Sequence, residues 1–121
     1  MSETMSETAG KIAWFELPAK DTGRAATFYG KLFGWQFQGF EGSDDYLMTY
    51  EAGGAIHRAD GREGLLAYFG TDDIDTAVAK VRELGGDASD KQEIPGVGHY
   101  SHCTDTEGNP FGLYQQEAGG A

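Results

Sequence analysis

Trp14 to Trp35, WFELPAKDTGRAATFYGKLFGW, reads as a strand, a capped helix and the opening of a second strand. Lys11 to Pro18 carries bulky apolar side chains suited to a strand, with Pro18 admissible only near its end or on an edge. Asp21 suits a helix N-cap, because its carboxylate can accept from a free backbone N–H of the first turn. Ala25, Phe28, Tyr29, Leu32 and Phe33 then fall at i, i+3, i+4, i+7 and i+8, one apolar stripe on a helix. Gly34 stands where a glycine ends a helix in the left-handed conformation, and Trp35 with Phe37 opens the next strand, predicted to continue to Phe40.

The same unit returns 52 positions later. Leu66 to Gly70 is a short apolar strand, Asp73 takes the place of Asp21, and Ile74, Ala77, Val78, Val81 and Leu84 form a second stripe. Gly86 repeats Gly34. A fixed offset that links strand, cap, stripe and terminating glycine points to an internal duplication.

Working outward, EGSDD at Glu41 to Asp45 is turn chemistry, and Tyr46 to Tyr50 is an aromatic-rich strand. Gly53 and Gly54 turn the chain into a fourth strand, Ala55 to Arg58, and ADGREG at Ala59 to Gly64 links the halves. The second half repeats the plan, with strands at about Leu65 to Thr71, Asp87 to Lys91, His99 to Thr104 and Phe111 to Gln115, and a helix from Asp73 to Leu84. The expected fold class is α+β, strand–helix–three strands twice over, in one domain over residues 11–116 with modules at about 11–60 and 63–116. The polar direct repeat MSETMSETAG at residues 1–10 is expected to be a disordered tail, and AGGA at Ala118 to Ala121 a frayed end.

A chain of 121 residues supports one compact domain, and 39% hydrophobic with 12% aromatic residues is enough for a core. The net charge of −11 repels nucleic acid and anionic membrane and would attract a cationic ligand, so neither nucleic acid nor membrane is an expected partner. Cys103 is the lone cysteine, which excludes an internal disulfide and suits a reducing cytoplasm. No apolar run approaches a membrane span or a signal-peptide core.

Three stretches, LPAKDTGRAATFYGKLFGW, FGTDDIDTAVAKVRELGG and GVGHYSHCTDTEGNPFGLYQ, in that order and at these distances, resemble the vicinal oxygen chelate superfamily. That superfamily includes glyoxalase I, extradiol dioxygenases, fosfomycin-resistance enzymes and bleomycin-resistance proteins. The likeness runs from Ile12 to Gln116, with Asp105, Gly108 and Asn109 supplying the family's closing turn and Thr106 where it usually has proline. It implies two βαβββ modules forming one curved, mostly antiparallel sheet around a cleft, commonly in a homodimer.

The resemblance also implies a divalent metal held by side chains on the concave face, one of them seven residues before the first capping Asp. That position is Trp14 here, its match in the second module is Leu66, and the Glu expected seven residues past the turn Asp is Gly112. The fourth strand offers only His57. Divalent sites need three or four converging oxygen, nitrogen or sulfur ligands. Neither a metal nor another cofactor is therefore expected. A set of His57, His102 and Glu16 stays open, although nothing in the spacing argues for it.

Strand alternation puts Trp14 with Glu16, Leu66 with Tyr68, and Tyr100 with His102 on common faces, and separates His99 and Cys103 from His102. Counted back from Asp105, Tyr100 and His102 take positions that resemblance to the fosfomycin-resistance branch puts on the cleft side. The candidate ligand-binding residues are Trp14, Glu16, Tyr46, Met48, Tyr68, Tyr100 and His102, with Tyr46 and Met48 favoured as core. Glu16, a carboxylate among aromatic residues, needs a partner, either a cationic ligand or one of Arg58 and Arg24. His57 and His99 are expected at the surface, and no catalytic residue is assigned. The expected function is metal-independent binding of a small molecule, in kind like the bleomycin-resistance branch. The compound sequestered or carried would be aromatic, with a cationic group as an option. A glyoxalase-like lyase or isomerase, a dioxygenase, and a dimeric module without a small ligand stand as alternatives.

Overall fold

The computed structural model describes residues 9–61 and 64–117. The chain divides into two compact units, Trp14–Leu66 and a second that joins the residues up to Ala13 with those from Ala67 onward. Each has the α+β make-up expected of a βαβββ module.

In the first, β1 (Ile12–Ala19) leads into α1 (Thr22–Phe33), and β2 (Gln38–Gly39), β3 (Tyr46–Thr49) and β4 (Gly54–Arg58) follow. The strands lie in the order β2-β3-β4-β1. β1 and β4 are parallel, with Phe15 opposite Gly54, while the β3–β4 and β2–β3 pairs are antiparallel. Asp21 caps α1 as its side chain suggested, accepting from Arg24 N at 2.9 Å. Gly34 closes the helix at φ 78°, its N–H reaching Gly30 O at 2.8 Å.

The second module runs β5 (Leu66–Gly70), α2 (Ile74–Glu83), β6 (Asp87–Ala88), β7 (Gln92–Ile94), β8 (Gly98–Thr104) and β9 (Pro110–Gln116). Its strand order, β5-β9-β8-β6 with β7 also on β8, repeats the first, and β5 runs parallel to β9. Asp73 caps α2 through Thr76 N at 3.2 Å, the equivalent of the Asp21 bond 52 residues earlier. Asp105 holds the β8–β9 turn by accepting from the N–H groups of Glu107 and Asn109, at 2.8 and 2.9 Å. The bonds from Asn109 lead those that draw its carboxyl below the usual carboxylate range.

Four expectations need correction. The strand predicted from Trp35 to Phe40 shrinks to Gln38–Gly39 and then enters a 3-10 turn at Phe40–Gly42, because Trp35 packs on Tyr29 of the helix and Phe37 on Trp35. The strand expected over Asp87 to Lys91 shrinks to β6, and an unforeseen β7 follows it, giving the second module one strand more. Gly85 at φ 100°, not Gly86, takes the left-handed position after α2, since this helix is two residues shorter than α1. Finally, Ala9 bridges Gly70 and Gly10 N donates to Gly70 O at 2.9 Å, so the end of the expected tail pairs with β5. Residues 1–8, 62–63 and 118–121, covering the rest of that tail, part of the linker and the C-terminal end, lie outside the described residues.

Each helix covers one face of its own module. Under α2, Ile74, Val78, Cys103 and Leu113 form a buried cluster, flanked by Ala77, Val81, Ala88 and Phe111. Each large aliphatic side chain in it contributes about 1.5–3 kcal/mol by leaving water. Beside α1 the packing is aromatic, with the Tyr29 and Trp35 rings stacked at 5.5 Å and Phe15 6.0 Å from Trp35. Gly54 is required beneath Phe15, since a Cβ there would lie 2.5 Å from its ring. Phe28, Leu32 and Phe33 instead remain 59%, 57% and 57% exposed, so the predicted α1 stripe is only partly buried.

Thr49 is 1% exposed, and its Oγ1 is the only fully buried side-chain nitrogen or oxygen without a hydrogen bond among the described residues. A buried hydroxyl with no partner keeps its desolvation cost and returns nothing. Thr49→Val should therefore leave the fold intact and hold or raise the melting temperature, as differential scanning calorimetry would show.

Candidate functional site

With one sheet face under a helix, alternation sends the remaining side chains to the opposite face. Directly paired residues share a face. In the first module Glu16 pairs with Ala55, Ala55 with Met48, and His57 with both Pro18 and Tyr46. Trp14, Glu16, Tyr46, Met48 and His57 therefore belong to the face away from α1.

Three of them form a hydrogen-bonded chain. Trp14 Nε1 donates to Tyr46 Oη at 2.8 Å, and Tyr46 Oη donates to Glu16 Oε2 at 2.7 Å. The direction is forced, because an indole N–H only donates and the phenol has one proton to pass on. Glu16 is 8% exposed, so a donor on its carboxylate offsets part of the cost of burying it. Of the two arginines offered as its partner, Arg58 pairs with Asp45 Oδ1 at 2.6 Å on the exposed side, and a phenol, Tyr46, donates to Glu16. Sequence reasoning favoured Tyr46 and Met48 as core. Met48 is buried at 8%, whereas Tyr46 is half-buried and holds the centre of the polar chain.

His57, expected at the surface, is 6% exposed. Its Nδ1 donates to Arg58 O at 2.9 Å. Alternation along β4 would have revealed its facing, had the Tyr46–His57 register been legible in the sequence.

The second module carries Tyr68 on β5 and Tyr100 and His102 on β8, again away from its helix. Tyr68 pairs with Gly112, Gly112 with His102, and Tyr100 with Tyr114. Tyr68 Oη and His102 Nε2 are 2.8 Å apart. The Tyr68, Tyr100 and His102 rings form a cluster with centroids 5.3–6.4 Å apart. Tyr100 Oη donates to Gln92 Oε1 at 3.2 Å, a partner that sequence reasoning did not include because it sits on the unforeseen β7. His99 is half-buried rather than exposed. Cys103 alternates away into the core at 5% exposed, and burial pushes its thiol up, so it is no nucleophile.

These features invite comparison with known proteins. The family model of the bleomycin resistance protein-like N-terminal domain matches residues 11–47. A glyoxylase-like domain-containing protein of Didymella fabae is 32% identical over 118 residues, which cover 86% of this chain and 92% of that protein. The chain belongs to the vicinal oxygen chelate superfamily. Among solved structures, a variant of Streptomyces coelicolor methylmalonyl-CoA epimerase in complex with 2-nitronate-propionyl-CoA matches with TM-score 0.66 at 16% identity, over 91% of this chain and 96% of that one. Homoprotocatechuate 2,3-dioxygenase from Brevibacterium fuscum, in complex with 3,4-dihydroxyphenylacetate, gives 0.70 at 16% identity, over 92% of this chain but 39% of its own. At such identities the two share the fold with this vicinal oxygen chelate protein, and its chemistry has to come from its own side chains.

Those side chains do not fit the divalent metal that the superfamily implies. Trp14 and Leu66 cannot coordinate, and at Gly112 the space a ligand would need is taken by the Tyr68 ring, 2.8 Å at Cγ from where a Cβ would stand. Among the described residues no three His, Cys, Asp or Glu side chains are grouped to hold a metal ion.

Tyr46→Phe tests the polar chain directly. It removes the donor to a buried carboxylate together with the acceptor of the indole, and should cost about 1–3 kcal/mol in urea unfolding. Trp14 fluorescence, read against a Trp35→Phe background, should shift as the indole loses its partner.

Proposed function

We propose that this chain is a metal-independent, small-molecule-binding protein of the bleomycin-resistance kind, which sequesters or carries an aromatic compound. The observation that carries this reading is that three implied metal-ligand positions hold Trp14, Leu66 and Gly112, on faces furnished with the rings of Trp14, Tyr46, Tyr68 and Tyr100. Aromatic walls with a few fixed polar groups are the usual lining of a small-molecule site. The Glu16 carboxylate and a net charge of −11 favour a cationic group on that compound. No helix among the described residues is long and apolar enough to cross a membrane, and a cytoplasmic setting with one reduced cysteine suits such a carrier.

Protein purified without a tag should carry no stoichiometric divalent ion by elemental analysis. In the Trp35→Phe background, titration with a panel of aromatic and cationic compounds should identify one that changes Trp14 fluorescence. An aromatic pair adds about 0.5–1.5 kcal/mol beyond area burial, so Trp14→Ala should weaken that compound several-fold. For a cation, Glu16→Gln should weaken it further, most at low salt. One Zn, Ni, Mn or Fe per chain, lost in His102→Ala, would sink the reading, and so would a panel in which nothing moves Trp14.

The proposal includes a homodimer. Phe28, Leu32 and Phe33 leave an apolar ridge on α1 more than half open to water, and a second copy is the occupant that closed symmetry favours. Light scattering at micromolar concentration should give twice the chain mass, and Leu32→Lys should shift it toward the monomer. A clean monomer for the unmodified protein overturns this part.

A further inference from the structure

The row Tyr68, Gly112, His102 crosses three neighbouring strands, β5, β9 and β8, on one face. Its middle member has no side chain. The outer two therefore meet across it, with the ring of Tyr68 lying on Gly112 and its hydroxyl 2.8 Å from His102 Nε2. Tyr68 is itself only 6% exposed, so the ring is packed in this position rather than swinging in solvent. Even an alanine at Gly112 would put its Cβ inside the ring's van der Waals boundary.

We propose that Tyr68 is a specificity-determining residue, which closes the ligand position at Gly112 and holds His102 by its hydroxyl, so that this face presents phenol and imidazole to a ligand and rejects a divalent cation. The inference rests on the metal-independent reading above and adds the residue responsible. Two requirements for a cation are denied at once. A carboxylate introduced at 112 has no room, and His102 Nε2 is engaged by a phenol. Cross-strand neighbours such as 102 and 112 stand about 4.5–5.5 Å apart at Cβ, close enough for His and Glu to share one ion once the ring is gone.

The test uses the full chain, with Co2+ as the probe because its visible absorption reports ligation by protein side chains. Gly112→Glu should lower the melting temperature by several degrees and bind no Co2+ in a His102-dependent way. Tyr68→Ala combined with Gly112→Glu should give a Co2+ absorption band that disappears when His102→Ala is added. That band already present in Gly112→Glu with an unchanged melting temperature would overturn the proposal. So would a folded double variant, checked by circular dichroism, with no His102-dependent band. A second measurement serves if the charged variants do not fold. Gly112→Ala should be clearly destabilising beside Tyr68 and close to neutral in a Tyr68→Ala background, and equal effects in both backgrounds would overturn the closure. His102-dependent Co2+ binding by the unmodified protein would instead sink the metal-independent reading, a result separate from all of these.

Discussion

A single helix can cover only one face of the sheet it crosses, and the organisation of each module follows from that limit. The first and last strands of a module run parallel, β1 with β4 and β5 with β9, so the chain must cross over between them, and the crossover carries the helix. Phe15, Ile56, Cys103 and Leu113 go beneath or beside the helices, while Trp14, Glu16, Tyr68 and His102 go to the other side. That second face is where polar groups can be kept without cutting into the apolar cluster under the helix.

What these faces hold differs from what the superfamily implies. A carboxylate or imidazole drawn out of water needs hydrogen-bonding partners. Here phenols are among them. Tyr46 donates to Glu16 in the first module, and Tyr68 meets His102 in the second. Each phenol is in turn fixed by something specific, Tyr46 by the indole of Trp14 and Tyr68 by the missing side chain at Gly112. Side chains held this way are ordered in advance, which in the proposed binding function would lower the cost of taking up a ligand.

The two helices show how similar local signals meet different packing. Both carry an Asp cap and an apolar stripe, yet Ile74 and Val78 are buried while Phe28, Leu32 and Phe33 are not. The aliphatic stripe of α2 fits the cluster around Cys103 and Leu113 as far as Val81, while its last member, Leu84, is 65% exposed. On α1 the rings of Tyr29 and Phe33 pack along Trp35, and Phe28 packs on Tyr29. Periodicity reports that a face is apolar and says nothing about how much of it a neighbour covers.

Much of the fold was legible in the sequence because its signals are local. Asp21 and Asp73 cap their helices through bonds three residues along, Gly34 ends its helix in the left-handed region, and alternation separates Cys103 from His102, all within a few residues of chain. The candidate site was legible only in part. Tyr46 meets Glu16 across 30 residues and Tyr68 meets His102 across 34, and both contacts depend on strand register, which no local pattern fixes. The sequence likewise offered Arg58 for Glu16 and a surface position for His57, both reasonable for isolated residues. It was tertiary pairing that put His57 opposite Tyr46, the Tyr68 ring over Gly112 and a phenol on the carboxylate. Residue type sets what a side chain can do, and register decides which partner it does it with.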